Sequence, residues 1–221
     1  MVITMNEEYY SFERYPLPST KYLEHRVLLS CLREDLRLAW AEAGGSSTLP
    51  NPPRVRLWEG YTQNFAYLSF FLPQTTSLPA GFISKLQNYL PQSDLIALTK
   101  TKMFTKTSVE EGLQLDLVMS FSDYKRAVAN AQPFGLAFLL EKKLKLALLS
   151  AGVPAKALKS VSAVLGTDGR VLVFAVFEGE LPAKSLLFFE FEGFEVATLS
   201  VRNCLLNIVL SIPLEKVFET R

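Results

Sequence analysis

Side chains that could do chemistry are sparse in this chain, and their spacing limits what they can do. A Ser–His–Asp or Cys–His site would have to use His25, the single histidine among 221 residues. His25 falls between Glu24 and Arg26 in a segment of helical periodicity, where it reads as an ordinary surface residue. One histidine and two distant cysteines, Cys31 and Cys204, supply neither zinc-ligand spacing nor a disulfide framework. Both cysteines are expected to be buried, acting as small apolar side chains. The adjacent acids Glu7-Glu8, Glu34-Asp35 and Glu110-Glu111 point apart on a helix or strand, so they read as solvated surface instead of a Mg²⁺ or Ca²⁺ cluster. No Walker loop, dinucleotide fingerprint or nucleophile elbow is present. Gly44-Gly45-Ser46-Ser47 follows a helix instead of opening one, so it does not offer a phosphate the amides of a helix start. The expectation is no catalytic residue, no cofactor and no metal.

The basic residues form a second constellation. Net charge is +1, yet residues 100–170 carry 11 basic and 6 acidic groups, and residues 171–221 carry 4 and 7. A dipolar surface of this kind suits an anionic partner or head-to-tail association. Inside the basic stretch, residues 142–165 resemble a helix-turn-helix. Gly152 takes the turn, Val153 follows it, and Leu158 and Val161 stand where a second helix would bury its apolar side. Lys156, Lys159 and Ser160 would face outward, and a β-segment after them could act as a wing. Leu148 departs from the pattern, which favours a small residue there, and the second helix lacks the Arg, Asn and Gln that read base edges. The resemblance therefore implies salt-sensitive contacts to phosphate. The nucleic-acid-binding candidates are Lys142, Lys143, Lys145, Lys156, Lys159 and Arg170.

Periodicity outlines the helices and strands that carry these residues. Tyr22, Val27, Leu28, Cys31, Leu32, Leu36, Ala39 and Trp40 form one helical stripe over residues 21–43, ended by Gly44-Gly45. Residues 54–58 and 64–72 read as a hairpin, 80–90 as a short helix between prolines, and 95–107 with 113–121 as a second strand pair. Helices are expected at 123–131, 134–150 and from Pro154 to Leu165. The strand-pair-then-helix arrangement occurs twice between residues 54 and 131, but no sequence repeat is evident.

The last quarter reads as a meander of four antiparallel strands at 170–177, 185–191, 194–201 and 204–212. Its first and last runs are apolar at nearly every position, which calls for cover on both faces. Val171, Val173, Phe174, Val176, Leu187, Phe189, Val196, Leu206, Ile208 and Leu210 are expected to be buried, and Phe174→Ala to cost about 3–5 kcal/mol. Of the adjacent aromatics Tyr9-Tyr10, Phe70-Phe71 and Phe188-Phe189, one member of each should lie outside the main core.

The sequence thus predicts an α+β fold: antiparallel sheet in one or two layers, with a C-terminal four-strand meander covered by helices. An extended Tyr- and Pro-rich arm over residues 1–20 precedes a single domain over 21–221, with a sub-boundary near 44–53. No basic-then-apolar leader opens the sequence and no apolar run approaches the ~20 residues of a membrane span. The expected location is cytoplasmic. The favoured function is non-catalytic: a self-assembling or partner-binding protein of structural, scaffold or matrix type, as a homo-oligomer or with a protein partner. The alternatives are nucleic-acid binding through residues 142–165, and an enzyme whose site gathers residues from distant segments.

Overall fold

The apolar stripe that begins with Leu23, Val27 and Cys31 builds a 23-residue helix, α1 (Thr20–Glu42). It is followed by β1 (Arg54–Glu59), β2 (Phe65–Pro73), helix α2 (Phe82–Tyr89), β3 (Ser93–Phe104), β4 (Val109–Ser120) and helix α3 (Ser122–Asn130). The chain then repeats the series: α4 (Leu136–Ser150), β5 (Leu158–Leu165), β6 (Arg170–Glu178), α5 (Ala183–Phe191), β7 (Glu195–Arg202), β8 (Leu205–Pro213) and α6 (Leu214–Val217). The structure, a computed structural model, describes residues 20–44, 53–59, 65–91, 93–104, 107–131 and 133–219. The expected N-terminal arm, apart from Thr20, and most of the composition boundary at 44–53 lie outside the described residues.

The fold is α+β, with two antiparallel four-stranded sheets of the same strand order, β1-β2-β4-β3 and β5-β6-β8-β7. Each sheet also carries a β-bulge at the same place on its edge strand. It falls between Leu95 and Ala97 in β3, opposite Leu117 and Asp116, and between Val196 and Thr198 in β7, opposite Leu210 and Val209. A shared order could be coincidence; a shared irregularity in register aligns β2, β3 and β4 with β6, β7 and β8, while β5 carries a further bulge between Leu158 and Ser160 that β1 lacks. The repeat is helix, strand pair, helix, strand pair, helix, and its boundary falls between α3 and α4.

One face of each sheet is apolar and buried. Ala66, Leu68, Phe70 and Leu72 of β2 face inward with Leu113, Leu115, Leu117 and Met119 of β4. Val171, Val173, Ala175 and Phe177 of β6 do so with Leu206, Ile208, Leu210 and Ile212 of β8. The helices cover these faces: α1 packs on β1 and α2, α4 packs on β5 and α5, and α1 and α4 pack on each other. Gly135, at φ 76°, lets α4 start against α1, since a Cβ there would lie 2.8 Å from the Val128 carbonyl oxygen and 3.0 Å from a Val27 methyl. A single apolar cluster runs through both halves.

Several expectations need correction. Residues 185–191 are helix α5, not a strand, so the C-terminal sheet is no simple meander. Strands β6 and β7 are not neighbours, because β8 lies between them, and the connection must cross the sheet. Phe189 and Ser185, four apart, point at the core, and Phe189 stacks on Phe177 with ring centroids 5.8 Å apart. The fourth strand is β5, in the segment expected to be helical. After a single 3₁₀ turn at Ala155–Ala157 the chain extends. Alternation of Ser160 and Ser162 with Val161 and Ala163 matches strand pairing with β6 better than it matches a helix.

Only one face of the C-terminal sheet is covered. On the outward face Phe174 is 42 % exposed and Val176 is half-buried, against the expected burial. Leu187, 65 % exposed, lies on helix α5, and Val196, 37 % exposed, shares the inward face with its partner Leu210 but stands on the edge strand β7. Val171, Val173, Phe189, Leu206, Ile208 and Leu210 are buried as expected. Cys31 is buried, but Cys204 is exposed in the two-residue β7–β8 hairpin, where it and Asn203 take positive φ. Phe70 and Phe71 are both buried, but only Phe70 belongs to the main apolar cluster, as expected of adjacent strand residues; Tyr9-Tyr10 lies outside the described residues.

Candidate functional site

The most concentrated polar chemistry lies between α1 and α4. Glu34, Asp35 and Arg37 of α1 are enclosed with Lys142 and Lys143 of α4 and with Glu192, just past α5. Lys142 pairs with Asp35, which also accepts a 2.8 Å hydrogen bond from the Tyr124 hydroxyl of α3. The Lys142 ammonium also lies over the Phe138 ring, 4.3 Å from its centroid. Arg37 forks between Glu34 at 2.9 Å and Glu192 at 3.0 Å. Lys143 lies 3.5 Å from Glu34 and 3.7 Å from Glu192, and donates at 2.8 Å to the Glu219 carbonyl oxygen. Three acids thus meet three bases, and the enclosed charge is balanced.

Burial alone would raise the Glu34 carboxyl, but the Lys143 ammonium and the Arg37 guanidinium outweigh it and hold Glu34 below its ordinary 4.5. At Asp35 burial wins over Lys142 and Tyr124, and the carboxyl lies above its ordinary 3.8. Stability contributed by ionised Glu34 is complete above pH 4.5 and is lost as pH falls through the lower folded value. A Glu34→Gln variant should therefore show a flatter acid limb in a plot of melting temperature against pH. An unchanged limb would place acid sensitivity elsewhere.

The network joins the two halves in a symmetric way. Glu34 lies eight residues before the end of α1 and Lys142 eight before the end of α4. The doublets Glu34-Asp35 and Lys142-Lys143 are thus equivalent, and they pair crosswise: Glu34 with Lys143 and Asp35 with Lys142. Reciprocal contacts of this form are what a two-fold interface makes. The expectation that Glu34-Asp35 is solvated surface is wrong.

The structure separates the six basic candidates instead of gathering them. Lys142 and Lys143 face inward and are held by carboxylates. Lys145 pairs with Glu141 at 2.5 Å on its own helix, Lys159 pairs with Glu178, and Arg170 pairs with Glu195 at 2.6 Å. Lys156 is exposed in the 3₁₀ turn. The second helix of the helix-turn-helix is strand β5. Among the described residues, no three His, Cys, Asp or Glu side chains converge as metal ligands, and no helix is long and apolar enough to cross a membrane.

The outward faces of the two sheets differ at equivalent positions. At the centre of the N-terminal sheet Ser69 donates to Asp116 at 2.6 Å, and Gln114 donates to the same carboxylate at 3.0 Å. The bulge alignment makes Phe174 and Val209 the equivalents of Ser69 and Asp116. Leu172 and Val164 continue the apolar row at 40 % and 54 % exposure, and Val176 and Val209 are half-buried. Ser160, Ser162, Asn207 and Ser211 border it. The fold accommodates a polar pair at this place, so the exposed apolar stripe on the second sheet is not a requirement of the architecture. The sequence signal was present in the uninterrupted apolar run of β6, which demanded cover on both faces; the helices supply only one.

Comparison with protein-family models, with curated proteins and with solved structures gave no match.

Proposed function

We propose that this protein is non-catalytic and works by binding protein, as a self-assembling or partner-binding component of structural or scaffold type. The observation that carries this reading is the apolar stripe Val164, Leu172, Phe174, Val176 and Val209 on the outward face of the C-terminal sheet. Contiguous exposed apolar surface rimmed by neutral polar residues is a feature of association surfaces. The main buried ionic cluster is charge-balanced and sits in the seam between the halves, where it serves cohesion. Nucleic-acid binding draws less support, since two of the six basic candidates are enclosed and three more are ion-paired at the surface.

The test replaces Phe174 with the residue of its counterpart. Wild-type protein should associate, with itself or with a protein from its source cells, and Phe174→Ser should lose that association while the monomer's stability, measured at high dilution, changes by less than about 1 kcal/mol. A wild-type chain that stays monomeric at high concentration and retains no protein on an affinity column would remove the proposal.

A further inference from the structure

Resting on the partner-binding reading, we infer that the occupant of the C-terminal sheet's outward face is a second copy of this chain, docked sheet to sheet about a two-fold axis at Phe174. The outward row of β6 reads Arg170, Leu172, Phe174, Val176, Glu178, because Val171, Val173, Ala175 and Phe177 take the inward positions. The row is basic at one end, apolar in the middle and acidic at the other. A two-fold through Phe174 lays this row on its own reverse, so that each Arg170 faces the other copy's Glu178. A partner that carries the same row is therefore complementary in both charge and apolarity. Ser160, Ser162, Thr198, Ser200, Asn207 and Ser211 flank the apolar centre without charge, and Glu195 and Arg202 stand only at the two ends of β7, so no like charges meet across the centre. Both end charges already have a partner within the chain, Arg170 with Glu195 and Ser211, and Glu178 with Lys159. They are held at the surface in place, and docking converts each pair into part of a larger network.

The size of the face fits the same occupant. Four strands at about 4.8 Å spacing and eight or nine residues at about 3.3 Å outline roughly 500 Å² per copy. Two such faces bury about 1,000 Å², the lower bound for a specific interface, and so define a reversible dimer that responds to concentration. Twisted sheets stack about 10 Å apart at roughly 30°, which leaves the arginine side chain long enough to reach across. The N-terminal sheet could not dock in this way, because Asp116 with Ser69 and Gln114 would place two like charges face to face at its centre.

Sedimentation equilibrium on the full chain over a concentration series tests the assignment, with three variants. Phe174→Ser should raise the dimer Kd roughly tenfold or more, as for a central anchor of an interface. Arg170→Glu and Glu178→Arg should each weaken the homodimer, since each creates two like-charge contacts. Mixed together, the R170E and E178R proteins should form a heterodimer, because every contact between them is again between opposite charges. Rescue in the mixture, absent from either variant alone, is specific to this pairing and cannot arise from a change in folding. A dimer indifferent to all three substitutions, or a mixture without rescue, would overturn the proposal. A monomeric chain that retains a different protein in a Phe174-dependent manner would also overturn it while leaving the partner-binding reading intact. A chain that binds neither itself nor any other protein would remove both.

Discussion

Replacing Lys142 with Met should destabilise the protein by about 3–5 kcal/mol, because it leaves a buried carboxylate without its cation. Asp35 is fully enclosed and would retain only the Tyr124 hydroxyl at 2.8 Å as a hydrogen-bond donor. A domain of this size shifts its melting temperature by roughly 2–4 °C per kcal/mol, so a fall of about 6–20 °C is expected. The variant should also acquire a distinctive pH dependence. Burial already holds the Asp35 carboxyl above 3.8, and loss of the ammonium raises it further. The folded state then binds the proton more tightly than the unfolded state. Stability is highest below the ordinary value and declines as pH rises through the folded value. Lys142→Met should accordingly be more stable at pH 5 than at pH 8. Adding Asp35→Asn removes the orphaned charge, keeps an acceptor for Tyr124, and should recover much of the loss. Equal stability of Lys142→Met and wild type in urea denaturation would show that the pair is solvated and the seam between α1 and α4 open.

The second large effect separates the two faces of β6. Phe177→Ala should cost about 3–5 kcal/mol, the usual cost of truncating an enclosed phenylalanine. Phe177 is wholly buried against Phe189, and the stacked rings add an aromatic contact that alanine cannot make. Phe174→Ser, three residues earlier on the opposite face, should change the stability of the monomer by less than about 1 kcal/mol. Urea denaturation at low protein concentration keeps association from contributing to either value. Comparable losses from both substitutions would mean that both faces of the sheet are covered within one chain.

The network and the stripe show how far local pattern extends. The stripe of α1, the hairpin β1–β2, the strand pair β3–β4 and the strands β6, β7 and β8 are legible, because 3.6- and two-residue periodicities are local properties of a helix and a half-buried strand. Residues 158–165 and 185–191 are locally ambiguous for a common reason. Short runs of Leu, Val, Phe, Ser and Ala satisfy either period, and the choice is made by the neighbour that the segment meets. Strand β5 is settled by pairing with β6, and helix α5 by the need to cross from β6 over β8 to β7.

Composition and periodicity specify an antiparallel α+β protein, most of its elements, and a β6 strand too apolar for one covered face. The likeness of the two halves emerges only in the folded chain, since it lies in strand order and a shared bulge, and different side chains can satisfy both. It also decided the fate of the charged doublets. Glu34-Asp35 and Lys142-Lys143 look like solvated surface when each is considered alone, because an enclosed charge without a partner is prohibitively unfavourable. Asp35 and Lys142 are 107 residues apart in the chain, and no window along the sequence contains them both. Packing α1 against α4 brings them together, and that contact turns two apparent surface patches into the seam of the molecule.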